Sequence, residues 1–177
     1  LAYLDGTDPS DPVSQPLRLA APPTLGHRFL ASAMATFMKQ NPSQMISLET
    51  CTSNGLVSRL VDDTIDLGFT LAELTHSAME LIPFHRTFAV CVMASDHPLA
   101  RHKVITPEIL HGEDQIALMR RHMVRTRLDQ VFARAGVRPR IVAEVATGVS
   151  AITLARHGVG VAVICPFPLL RHHEPDL

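Results

Sequence analysis

The chain has 177 residues, 46% of them hydrophobic, which is enough to bury a core in one domain or in two small lobes. Its 16 Lys and Arg are balanced by 17 Asp and Glu, so no overall positive field exists to hold nucleic acid unaided. Nothing approaches the roughly 18 uncharged apolar residues that span a bilayer, and no basic-then-apolar leader opens the sequence.

Three cysteines, Cys51, Cys91 and Cys165, are far apart and set among apolar residues. That pattern fits reduced core thiols in a cytoplasmic protein better than a disulfide frame. The sequence opens on Leu1 rather than Met, and a fragment of a longer protein is expected.

Residues 1–15 carry Asp, Pro, Gly and Ser without an apolar period and are expected to form a linker. Pro16 to Ala21 reads as a strand, broken by Pro22-Pro23 just before Thr24. The helix that follows places Leu25, Phe29, Leu30, Ala33, Met34, Phe37 and Met38 on one face, predicted to be core, and ends at Asn41-Pro42. Met45 to Thr50 alternates as a second strand, and Thr52-Ser53-Asn54-Gly55 introduces a helix over Leu56 to Val61.

Thr64 to Thr70 is a short apolar run ending on a hydroxyl. It reads as a strand of a parallel sheet covered on both faces. Two apolar runs, Met79 to His85 and Thr87 to Ala94, mark a change of topology. Thr106-Pro107-Glu108 then starts a short helix with Thr106 as cap. A second α/β set follows: a strand over Gln115 to Met119, a helix opened by Arg120-Arg121-His122 and ending at Gly136, a strand over Ile141 to Val145, a helix starting at Thr147, and a strand over Val159 to Ile164.

This order predicts an α/β fold of two Rossmann-like lobes joined by crossover strands around a cleft. Lobe I would take about residues 16–86 and 167–177, lobe II about 88–165. Ligands bind between such lobes.

Thr24, Thr52-Ser53, Thr70 and Thr147 lie where strands end, and three of these corners precede helices. Helix starts leave backbone N–H groups unpaired, so a converging set suits a carboxylate, although each hydroxyl alone reads more readily as an ordinary N-cap. Arg120, Arg121 and Arg125 stand where the helix dipole disfavours cations. An anion bound by Arg125 would offset this, and removing that side chain would then weaken binding and leave the fold intact; a solvated basic face is the alternative.

The ten histidines lack metal-site spacings, so no metal is expected. Neither a Gly-x-Ser-x-Gly elbow, a P-loop nor a dinucleotide fingerprint is present. The sequence therefore calls for no cofactor and nominates no catalytic residue.

The chain resembles the effector-binding domain of LysR-type transcriptional regulators over nearly all of Pro16 to Leu170. The resemblance rests on Leu17 to Ala20, Asp66-Leu67-Gly68, Val90-Cys91-Val92 with His97-Pro98-Leu99, Leu128 to Phe132, and Gly158 to Val161 leading into Pro166. Asp66 to Thr70, Ala89 to Val92, Arg125 with Leu128-Asp129-Gln130, and Val163 to Phe167 are most similar to the regulators of lysine biosynthesis and of octopine and nopaline catabolism.

The resemblance implies a type 2 periplasmic-binding-protein-like fold, no enzymatic activity, and an amino acid or related carboxylate as effector. It implies contacts at Thr24, Ser53, Thr70, the loop Met119 to Arg121, and Thr147, with pairing into dimers or tetramers. The family's DNA-binding helix-turn-helix has no counterpart in these residues, so DNA would be bound only through another domain of the parent protein. A free-standing solute-binding protein of a transport system is the alternative on the same fold.

Overall fold

The structure is a computed structural model describing residues 15–71, 74 and 76–169. The chain divides into two compact units, lobe I up to Phe84 and lobe II over His85–Leu169. The expected linker, apart from Gln15, and the stretch after Leu169 lie outside the described residues.

In lobe I, β1 (Leu17–Ala21) lies between β2 (Ile46–Thr50) and β3 (Leu67–Gly68), all parallel. The Asp66 and Phe69 amides donate to Arg18 O and Ala20 O at 2.8 Å, carrying the β1–β3 pairing past both ends of the short strand. Arg18 anchors its start: Nη2 donates to Asp66 Oδ1 at 2.7 Å and Nη1 to Asp63 O at 2.6 Å. These hydrogen bonds from Arg18 hold the Asp66 carboxyl below the usual range.

Ala20, Leu56 and Ile65 form the buried cluster between the sheet and α3 (Ser53–Val61). Burial on both faces of Thr64 to Thr70 is not what the structure has: Ile65 is buried, whereas Leu67 is half exposed.

The first helix also departs from its sequence pattern. A turn, α1 (Pro23–Leu25), runs into a π-helical segment (Gly26–Leu30) and then α2 (Ala31–Gln40). Leu25 and Leu30 are buried, but α2 buries no residue, and Phe37 and Met38 are 41% and 43% exposed. An i→i+5 turn inserts a residue into the helical repeat and rotates the later part of the stripe away from the core.

Lobe II has the sheet order β4-β7-β5-β6, comprising β4 (Val90–Val92), β5 (Asp114–Leu118), β6 (Arg140–Val145) and β7 (Ala162–Ile164). β5 and β6 are parallel, while β4 and β7 are antiparallel. No strand forms over Met79 to His85, and the second apolar run contributes only β4.

α4 (Met123–Arg134) and α5 (Gly148–Arg156) supply side chains to two buried clusters. Val161 joins Phe132, Leu99 and Leu110, whereas Ile116, Ala162 and Ile164 join Ala151 and Ala155. Val163 packs against the first cluster with Val161, so consecutive residues along this segment serve opposite faces, as the two-residue period requires. Residues 106–111 are held by a single 3-10 turn (Pro107–Leu110), and the Thr106 side chain makes no cap bond.

The three cysteines are free thiols; burial pushes Cys91 up to about 11. No helix among the described residues is long and apolar enough to cross a membrane.

β7 enters the sheet through Gly160, where an added Cβ would collide with the Asp114 carbonyl. The Val161 amide donates to that carbonyl at 2.8 Å, so the backbone cannot retreat without losing the β5–β7 link. Gly160→Ala is expected to destabilise the protein by about 2 kcal/mol, measured by urea unfolding.

Candidate functional site

Parallel strands end on one edge, and in lobe I that edge collects three predicted hydroxyl residues. Thr24, half-buried after β1, lies in a helix start that has Pro22 as N-cap and no side-chain cap bond. After β2, Thr52 takes the capping role, accepting from Gly55 N at 3.2 Å. Ser53 is thereby left for other work. Its Oγ accepts from Thr70 Oγ1 at 3.1 Å, joining the corners after β2 and β3.

In lobe II the corresponding edge belongs to β5 and β6. Leu118 pairs with Val145, and Met119 N donates to Val145 O at 3.0 Å, so the loop after β5 starts beside the end of β6. Arg120 and Arg121 are exposed in the turn before α4, rather than within the helix as the sequence pattern implied, and His122 is the N-cap. Thr147 caps α5: its Oγ1 accepts from Ser150 N at 3.2 Å and lies 2.9 Å from Ser150 Oγ. Met119, Arg120, Arg121 and Thr147 therefore share one strand edge.

Arg125 differs from its expected state. Its side chain is 4% exposed, and the guanidinium is met by the chain's own groups. Nε donates to Asp129 at 2.8 and 2.9 Å, and Nη1 donates to Glu144 Oε1 at 2.7 Å and Leu118 O at 2.8 Å. Burial alone would lower its pKa; the Glu144 and Asp129 hydrogen bonds outweigh that and raise it. The cation in the first turn is thus offset by carboxylates at i+4 and on β6, tying β5, α4 and β6 together just behind the Met119 loop.

Sequence reasoning overlooked Asp129 and Glu144, although the i, i+4 spacing of Arg125 and Asp129 was available as a signal. A cavity of about 720 Å³ in lobe II runs along β4, lined by Cys91, Met93, Leu110, Leu128 and Phe132, and includes none of the predicted site residues.

Arg125→Ala is expected to lower unfolding free energy by about 1–3 kcal/mol, through loss of the Leu118 bond and of packing. Asp129 and Glu144 are each nearly half exposed and would remain solvated. Chemical denaturation of the unliganded protein measures this; unchanged stability would contradict the structural role.

The LysR substrate binding domain family model matches residues 10–176. The chain is similar to the transcriptional activator protein LysR of Escherichia coli, 31% identical over 161 residues, covering 91% of this chain and 52% of that protein. It spans about half the length of the curated relatives it matches.

Among solved structures, it resembles the effector-binding domain of QuiR in complex with shikimate, with TM-score 0.71, 18% identity, and coverage of 92% of this chain and 83% of that one. For the BenM effector-binding domain with its effector benzoate, the TM-score is 0.75 and the identity 17%, with coverage of 89% and 73%. These likenesses establish the fold as the type 2 periplasmic-binding-protein-like α/β class. The chain belongs to the LysR substrate-binding domain family, a family of transcriptional regulators and not of enzymes.

Proposed function

We propose that this chain is the effector-sensing domain of a cytoplasmic LysR-type transcriptional regulator and binds a small carboxylate, an amino acid or a derivative of one. The observation supporting this reading is the gathering of hydroxyls at the strand edge of lobe I and of a hydroxyl with two cations at that of lobe II. At the edge of lobe I, Thr24 and Ser53 would donate to a carboxylate and Thr70 would line its site. At the edge of lobe II, Thr147 would donate and Met119, Arg120 and Arg121 would supply contacts, while Arg125 would hold their loop from behind. Shikimate and benzoate, the ligands of the two structural relatives, both carry a carboxylate.

Binding would shift a conformational balance and so alter how paired subunits present DNA-binding domains carried elsewhere in the parent protein. No bond is made or broken. Self-association is supported by the apolar surface at Phe37, Met38 and Met45, which are 41%, 43% and 62% exposed.

In a thermal-unfolding panel of amino acids, opines and simple carboxylates, an effector at a hundredfold excess over its Kd should raise the melting temperature by about 5–10 °C. Ser53→Ala should weaken its binding about tenfold by isothermal calorimetry. Absence of any shift would refute the carboxylate class. By light scattering, Phe37→Asp should convert a dimer to monomer, and a monomeric wild-type chain would refute pairing through this surface.

A further inference from the structure

β4 is the outermost strand of the lobe II sheet. Among the described residues it pairs only with β7, and no backbone hydrogen bond outside that ladder reaches Val90, Cys91 or Val92. An open edge presents a row of N–H and C=O groups, and proteins ordinarily blunt it with charge, Pro or a covering element. Phe88 to Ala94 contains neither a charged residue nor a Pro.

The cavity of about 720 Å³ lies along this edge. Consecutive side chains of a strand point to opposite faces, so a cavity over one face would meet every second residue. This one meets every residue from Ala89 to Ser95, which places it beside the strand rather than above it. Its far walls are Leu99, Leu110, Leu128 and Phe132, all part of the lobe II core. Only Ser95, His102 and Lys103 bring polar side chains to it, and no Asp or Glu does.

These properties select an occupant. The main-chain groups of an open edge call for the N–H and C=O groups of another backbone, which a small acid cannot supply along its length. Apolar walls on both sides call for apolar side chains at successive positions. A cation without a carboxylate at the same cavity favours an acidic residue in the partner.

We infer that the outer edge of β4 is a strand-acceptor site, taking an extended apolar peptide that carries an acidic residue and adds to the lobe II sheet as a fifth strand. The site shares no residue with the proposed effector edges. It gives lobe II a surface for a polypeptide partner, separate from any small ligand.

The test is amide NMR of the isotope-labelled chain titrated with the blocked peptide Asp-Val-Ala-Val-Ile. This peptide repeats Val161 to Ile164, the segment that includes the inner partner of β4, behind an added Asp. Saturable shifts are expected from Ala89 to Ala94 and at Lys103, with slowed hydrogen exchange within Val90–Val92. The same peptide with N-methylated backbone amides should bind about tenfold more weakly, through loss of its main-chain hydrogen bonds. Lys103→Glu should weaken binding about threefold without lowering the melting temperature, since Lys103 is exposed.

Absence of shifts along β4 would overturn the inference. Equal affinity for the N-methylated peptide would also overturn it, since no strand would then have been added. Octanoate, run in parallel, would overturn it by producing the same shifts as the peptide, because the cavity would then be a site for any apolar anion. The effector reading rests on other residues and survives each of these results.

Discussion

Parallel strand pairing is the constraint on which the rest of this structure depends. A parallel strand must be followed by a crossover, so β1 and β2 in one lobe and β5 and β6 in the other turn towards helices at one edge of their sheet, and β3 ends at the same edge as β1 and β2. Once that pairing is set, the positions of Thr24, Ser53 and Thr70 in one lobe, and of Met119 and Thr147 in the other, follow from the chain's path. The chemistry gathered at each edge is a consequence of topology before it is a consequence of side chains.

The charged groups divide between scaffold and site by their partners. Arg18 is held by Asp63 and Asp66 across the start of the lobe I sheet, and Arg125 by Asp129, Glu144 and the Leu118 carbonyl in lobe II. Both cations act on the protein itself. Arg120 and Arg121 lie in the exposed turn before α4. The hydroxyls divide by partner too: Thr52 and Thr147 cap helices, whereas Ser53 and Thr70 bond each other across two corners.

The alternation of strands and helices was legible because it depends on local periodicity and on Pro, Gly and hydroxyl punctuation. The corners followed from it. What stayed hidden depends on contacts distant in sequence or on a shift of phase. Arg125 reads as an unpaired cation until β6 brings Glu144 beside it, 19 residues away. The apolar stripe of the first helix reads as continuous because the extra residue of the π-helical segment at Gly26–Leu30 leaves no mark in composition. Thr52 and Ser53 are equivalent candidates in sequence, and only backbone geometry decides which one caps.

The central claim is that a small carboxylate binds at the hydroxyl- and Arg-bearing strand edges. The most direct measurement is amide NMR of this 19.4 kDa chain, titrated with the carboxylate that most raises its melting temperature. The account predicts saturable shifts among Thr24, Ser53, Thr70, Met119 to Arg121 and Thr147. Shifts that leave these residues untouched, or that are confined to the cavity along β4, would contradict it.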